Sequence, residues 1–248
     1  MKDFNGYLQR MESALQEKLF FLNKTDLNKF DIVFDFGCAN GILIKNLEEK
    51  FKHIKFFGYD FSPKMIGSAK QLVNSKNVYF SFDLKELENA LKAEGKKAII
   101  FSSVLHEIPQ NFLITAIDFM KQTNCVIIRD MFFDDSLNKN FDCKSILNHS
   151  LLPSQMTKDF EKRFGKIDNI KNLYHMLLKY TYTDNWQTEI EENYFGVDYN
   201  QILTKLNDVG FKIYYDNKHT LPFKKLEIKK NFNFDLNLPT HRKTILIK

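Results

Sequence analysis

The run Ile32-Val33-Phe34-Asp35-Phe36-Gly37-Cys38-Ala39-Asn40-Gly41 constrains the fold more tightly than any other stretch of the chain. A short apolar segment ending in Asp-x-Gly-x-Ala-x-Gly reads as a buried strand that turns sharply into a helix. Glycines in such a turn let the backbone approach a ligand that a side chain would exclude. Nineteen residues beyond Gly41, the apolar run from Ile54 to Tyr59 ends in Asp60. A carboxylate at the tip of a second strand is placed to accept hydrogen bonds from a ribose. The two features together imply an adenosine-type ligand.

Spacing narrows the ligand further. A dinucleotide fingerprint sets glycines at relative positions one, three and six and rests a pyrophosphate on the helix N-terminus. Here the glycines fall at one and five, Ala39 occupies three, and Asp35 lies two residues before the first. No Lys or Arg lies in the turn, and the neighbouring carboxylate repels phosphate. A P-loop is excluded because no Gly-Lys-Ser/Thr follows. A ligand with a ribose, an adenine and a cationic centre fits better, and S-adenosylmethionine has all three without a phosphate.

Apolar strand patterns at 31–36, 54–59, 78–82, 97–102 and 125–131 alternate with helical patterns at 41–51, 63–75, 84–94 and 110–122. Such alternation implies parallel pairing through right-handed crossovers. Ser62-Pro63 supplies a cap and an N1 proline for the second helix. A further amphipathic helix from Asn200 to Asp208 ends at Gly210, and Phe211–Tyr215 follows as a strand. Thr244-Ile245-Leu246-Ile247 can return beside it in antiparallel fashion. The cofactor motifs then sit at the carboxyl ends of strands, where open α/β sheets bind ligands.

Residues 30 to about 133 resemble a class I S-adenosylmethionine-dependent methyltransferase. Asp35 through Gly41 matches the family's Glu/Asp-x-Gly-x-Gly-x-Gly motif except that Ala39 replaces the middle glycine, which a negative φ would tolerate. Asp60, within Tyr59-Asp60-Phe61-Ser62-Pro63, matches the acidic strand end of the second motif. Phe80-Ser81-Phe82-Asp83-Leu84 resembles the third, and Ile99 through Glu107 resembles the fourth. The resemblance implies a Rossmann-like, doubly wound, seven-stranded and mainly parallel α/β sheet with a helical insertion and an N-terminal helix. It implies that Gly37, Cys38, Ala39 and Gly41 line the methionine part of the cofactor through backbone groups, and that Asp35 favours the cationic end. Asp60 would hold the ribose, Phe61 would lie against the adenine, Asp83 and the Leu84 backbone would read its amine, and Ser102 would line the cofactor from the fourth strand.

Methyl transfer is an in-line displacement in which the sulfonium charge disappears, so the protein chiefly aligns the acceptor and excludes water. A base is needed only when the acceptor must lose a proton. His106 and Glu107 directly follow the fourth strand, near the methyl group in this family's geometry. His106, with an unperturbed pKa near 6.5, is the candidate base; the alternative is that it orients the loop. Glu107 is a second candidate, or a cap for the segment before Pro109. Arg129-Asp130 ends the fifth strand, where unpaired charges are costly to bury; Asp130 is a further candidate for acceptor binding. Ser102-Ser103-Val104-Leu105 replaces the Asn/Asp-Pro-Pro-Tyr/Phe segment of enzymes that methylate exocyclic amines of bases or glutamine, and no Cys lies near 102–107 for 5-methylcytosine chemistry.

The remaining chain organises around this core. Residues 1–29 carry an amphipathic helical pattern (Leu8, Met11, Leu15, Leu19), 30–134 and 197–248 form the core, and 135–196 is a helical insertion. Within it, Pro153–Phe164 is one helix, and Leu173, Met176, Leu177 and Tyr180 share the face of another. The insertion reads either as a lid over the acceptor or as a structural subdomain with Trp186 and Tyr180 in its core. In the 248 residues no apolar run approaches the roughly 18 of a membrane span, and the start lacks a signal-peptide pattern. Cys38, Cys125 and Cys143 suggest neither a disulfide framework nor a zinc site, which favours a cytoplasmic location. The 36 Lys and Arg against 31 Asp and Glu are a small excess, so Lys218, Lys224, Lys225, Lys229 and Lys230 read as a solvated face. The expected acceptor is therefore a small molecule, at an oxygen or nitrogen atom. RNA recognised by that basic C-terminal face is the nearest alternative, and a non-catalytic cofactor-binding scaffold is another.

Overall fold

The computed structural model describes residues 14–142, 146 and 154–248. Leu8, Met11, Cys143 and Pro153 lie outside the described residues.

The sheet is seven-stranded with the order β3-β2-β1-β4-β5-β7-β6. Its strands are β1 (Ile32–Phe36), β2 (Lys55–Tyr59), β3 (Val78–Ser81), β4 (Lys97–Ser102), β5 (Cys125–Met131), β6 (Lys212–His219) and β7 (His241–Ile247). The first five pair in parallel, with Asp35 opposite Gly58 on one side and Ile100 on the other. Central strands of a parallel sheet are covered on both faces, so they read as continuous apolar runs rather than alternating ones. β7 runs antiparallel to β5: the Lys248 N–H donates to the Asn124 carbonyl and the Phe132 N–H to that of Thr240. β6 continues four residues beyond the apolar pattern that ends at Tyr215. Its polar extension is held in part by the Thr244 hydroxyl donating to Asp216 Oδ1 (2.9 Å), and an edge strand tolerates charged, exposed residues.

Two compact units emerge. Among the described residues, one comprises 14–130 with Asp198–Asn217 and Lys243–Lys248. In it, α2 (Ile42–Lys50), α3 (Pro63–Leu72), α4 (Leu84–Leu91) and α5 (Leu113–Lys121) connect the parallel strands, and α9 (Tyr199–Asn207) precedes β6. Ser62 caps α3 and Asp83 caps α4 by accepting backbone N–H bonds. The N-terminal segment forms the single turn α1 (Leu15–Lys18) and then 3-10 turns at Phe20–Asn23 and Leu27–Lys29. Leu15, Leu19 and Phe21 pack into the same core as Val33, Ile44 and Ile100.

The second unit comprises Met131–Val197 and Lys218–Arg242. It holds α6 (Ser154–Phe164), α7 (Ile170–Tyr180), α8 (Trp186–Glu189) and α10 (Pro222–Phe232). Trp186, Leu173, Phe160, Ile228 and Phe232 share its core, and Tyr180 packs edge-on against Phe232. Of the lysine-rich tract, Lys218 lies on β6 and Lys224, Lys225, Lys229 and Lys230 lie on α10. Lys224 is buried, its ammonium 3.9 Å from the Tyr182 ring centre and bonded to the Thr181 hydroxyl. Lys218 pairs with Asp134 (3.0 Å) and Lys229 with Asp235 (2.7 Å).

Candidate functional site

Two loops at the carboxyl ends of neighbouring strand pairs are built alike. After β1, the Gly37 and Cys38 N–H groups both donate to the Tyr59 carbonyl at the end of β2 (2.8 and 2.9 Å). Asp60, the next residue, accepts from the Ala39 N–H at Oδ2 and from the Ser62 N–H at Oδ1, each at 2.9 Å. The Gly41 N–H donates back to the Cys38 carbonyl. Gly37 and Gly41 have φ of +77°, and Ala39 between them is also left-handed, at +46°. The expectation of a negative φ at Ala39 therefore fails. The conformation costs an L-residue about 1–2 kcal/mol, and the buried Asp60 clamp offsets it. A Cβ on Gly37 would overlap the Val104 side chain.

After β4 the arrangement repeats with a different outcome. The Ser103 N–H donates to the Arg129 carbonyl on β5 (2.7 Å), and Ser103 is again left-handed, at +59°. Asp130, the next residue, accepts at Oδ2 from Val104 and Leu105 (2.9 and 2.6 Å) and at Oδ1 faces His106 Nδ1 at 2.5 Å. Asp130 is only 1% exposed. A carboxylate accepts, so the proton of the imidazole sits on Nδ1 and its basic nitrogen is Nε2. Glu107 Oε1 lies 3.9 Å from Nε2, on a side chain that keeps about half its surface in solvent. Arg129 turns its guanidinium to the Ser103 hydroxyl.

Residues 33–123 match the family model described as a methyltransferase domain. Over those residues the chain is similar to methyltransferases, and its seven-stranded sheet has their Rossmann-like form. No curated protein is similar enough in sequence to count as a match. Among solved structures, PKMT2 from Rickettsia typhi, in complex with AdoHcy, superposes with a TM-score of 0.55 at 18% identity over 95% of this chain and 52% of its own. Human N-acetylserotonin methyltransferase gives 0.51 at 14%, covering 97% and 55%. A SAM-dependent methyltransferase from Anabaena variabilis gives 0.52 at 14%, covering 96% and 84%. The chain thus spans about half the length of the first two, and these likenesses concern the fold. Among the described residues, no helix is long and apolar enough to cross a membrane.

The residues of the methyltransferase domain fit its cofactor. Asp35 is fully desolvated on β1, and burial pushes its carboxyl up to about 7, with Lys18 opposing and Asp60 adding to the rise. A cation arriving beside such a group is rewarded by its ionisation. Asp60 is raised by burial and lowered by the two N–H groups it accepts; its two oxygens have capacity for about two further donors. At the neighbouring tips of β2 and β3, Phe61 is 77% and Phe82 53% exposed, apolar faces open to an adenine. Asp83 caps α4 through the Lys85 N–H, and Leu84 follows half-buried. The Ser102 hydroxyl at the end of β4 is buried with no hydrogen-bond partner among the described residues, which marks it as waiting for one. Cys38 is a neutral thiol, raised well above its usual range by burial and then by Asp35 and Asp60.

Two site residues escaped the sequence reading. Ser103 carries the strained turn before His106. Lys18, buried near Asp35, Arg129, Glu107 and Asp130, is lowered to about 8 by burial first and Arg129 second. Its signal was present: Lys18 falls on the apolar stripe of Leu15, Leu19 and Leu22, where a solvated lysine does not belong.

Proposed function

We propose that the protein transfers the methyl group of S-adenosylmethionine to an oxygen or nitrogen atom of a small-molecule acceptor, with His106 as the base. The carrying observation is the His106–Asp130 pair at the carboxyl end of β4. When bound, the cofactor supplies an electrophilic methyl group on a sulfonium. Asp60 holds the ribose hydroxyls with the acceptor capacity left after clamping the loop. Phe61 lies against the adenine, the Asp83 carboxylate and the Leu84 backbone read its amine, and the Ser102 hydroxyl gains its missing partner. Asp35 and the carbonyls of the Gly37–Gly41 loop favour the cationic end.

His106 takes the acceptor's proton at Nε2 as the new bond forms, and Asp130 stabilises the resulting imidazolium at Nδ1 while holding the ring's orientation. Glu107 stands beside Nε2 as a second group for an acceptor hydrogen bond. We assign acceptor choice to the insertion 135–196, which lies outside the family match. RNA is the weaker reading: Lys218 and Lys229 pair with carboxylates and Lys224 is buried, so of the tract Lys225 and Lys230 remain to offer phosphates.

Calorimetric titration with S-adenosylmethionine and S-adenosylhomocysteine, with NAD as control, tests the cofactor. Micromolar binding of the first two and none of NAD is expected. Screening metabolites and RNA for labelled methyl acceptance then tests the acceptor class. His106→Ala should abolish turnover on the acceptor found while leaving cofactor affinity unchanged. Cofactor binding with no acceptor from either pool would return the scaffold reading, and full activity of His106→Ala would remove the base.

A further inference from the structure

The loops at the carboxyl ends of the parallel strands are one end of their unit. Its other end carries a cavity of about 640 Å³. Phe30 leads into β1, Lys96 into β4 and Asn124 into β5, while Lys248 follows the antiparallel β7, so all four line the cavity from the amino-terminal edge of the parallel strands. Residues 22–29, around the two 3-10 turns of the N-terminal segment, line it as well. A space of this size suits a nucleotide-sized molecule.

The lining has a definite sign. Four lysines reach the cavity from three distant segments: Lys24 and Lys29 from the turns, Lys96 before β4 and Lys248 after β7. Among the described residues none of their ammonium groups pairs with a carboxylate. Two are steadied on aromatic rings instead: Lys24 lies 5.1 Å from the Tyr215 ring centre and Lys248 5.9 Å from that of Phe211. Asp26 is the one acid in the lining, and its Oδ1 is turned to its own loop, accepting from the Asn28 N–H (3.0 Å) and side-chain amide (2.8 Å). Asp31, next in sequence to Phe30, is committed to the Lys96 N–H (2.7 Å). Asn124 accepts from the Lys97 N–H at Oδ1 (2.9 Å), which leaves its amide N–H groups as donors. Cations and donors thus dominate a concave surface, where like charges focus the field on an incoming anion. Phe51, Ile247 and the ring of Tyr214, 62% exposed, add apolar surface for a planar group.

We propose that this cavity is a second binding site, for a nucleotide-sized molecule bearing two or more phosphates, held by Lys24, Lys29, Lys96 and Lys248 with its ring system against Tyr214. Ammonium groups serve phosphates as point charges, and four lysines against one acid match a di- or triphosphate better than a monophosphate. The site does not depend on what the cofactor loops bind.

Calorimetry with GTP, GMP, guanosine and inorganic tripolyphosphate tests the site, with S-adenosylhomocysteine saturating throughout. GTP should bind with a Kd of about 10–100 μM at low salt, and GMP about tenfold more weakly. Guanosine should not bind, and added salt should weaken GTP. The exposed pair Lys29→Gln/Lys96→Gln should lower GTP affinity about tenfold and leave the fold and S-adenosylhomocysteine affinity unchanged. Lys70→Gln/Lys92→Gln, an exposed pair outside the lining, should leave GTP affinity within about twofold. Tyr214→Ala should weaken GTP and not tripolyphosphate. Unchanged GTP affinity in the Lys29/Lys96 variant, an equal loss in the control pair, or GMP bound as tightly as GTP overturns the site. A short single-stranded RNA that binds more tightly than GTP, and loses that binding in the Lys29/Lys96 variant, overturns the small-molecule occupant.

Discussion

The loops after β1 and β4 are the same device put to two uses. In each, a carbonyl on the neighbouring strand (Tyr59, Arg129) takes the first loop N–H, and the carboxylate that follows it (Asp60, Asp130) takes the next. In each, a non-glycine residue is held left-handed, Ala39 in one and Ser103 in the other. Both carboxylates are buried, and each pins backbone that would otherwise be strained. They differ in what else they touch. Asp60 accepts from backbone N–H groups, of Ala39 and Ser62, and keeps lone pairs for further donors. Asp130 also meets His106, so its charge is tied to a titrating group. In the proposed function the clamp built only on backbone serves binding, and the one that includes an imidazole serves as proton acceptor.

The largest test of this contrast is Asp130→Ala. It strands His106 and two buried N–H groups, and breaking a buried pair of this kind costs about 3–5 kcal/mol; urea denaturation should show it. Asp60→Ala removes two charge-assisted backbone bonds but strands no imidazole, so its stability loss should be the smaller. Its cofactor affinity should fall more than tenfold. Equal losses of stability for the two variants would break the comparison. Gly37→Ala should cost about 1–3 kcal/mol, because its Cβ meets Val104 in a left-handed turn. Ala39→Gly should change stability by no more than about 1 kcal/mol, since relief of strain is opposed by lost methyl burial and added chain entropy.

Asp35 gives a test by pH. The folded protein keeps its proton up to about pH 7, whereas the unfolded chain loses it near 3.8. This group's contribution to stability is full below 3.8 and is lost as pH rises through about 7. Cofactor affinity should move the other way, rising through about pH 7 as the carboxylate forms. Asp35→Asn should flatten both dependences, and an unchanged affinity profile in that variant would remove Asp35 from the cationic end.

The units also contrast. In the insertion, the buried charge is spent on the fold: Lys179, wholly buried, donates to the Glu189 and Glu192 carbonyls and lies 3.8 Å from the Tyr194 ring centre. Trp186 donates to Asp159 and sits in the core. Here polar groups satisfy helix ends, while in the cofactor-binding unit they hold loops open at strand tips.

The sequence by itself determined the order of strands and helices around Asp35, Asp60, Asp83 and His106. Those signals are local: apolar runs of strand length, Ser62-Pro63 as a cap, and glycines where the chain must turn. Tertiary structure alone decided the rest. Asp130 could be suspected from its place at a strand end, but only the pairing of β4 with β5 puts it against His106. The left-handed Ala39 depends on Asp60, twenty-one residues away. The polar half of β6 and the helix α10, which buries Lys224 and exposes Phe223 and Leu226, follow no apolar period. Lys18 is buried only because the N-terminal turn packs into the core beside the sheet. Periodicity reports which face of an element is buried, and contacts between distant segments are where the charges of this site acquire their roles.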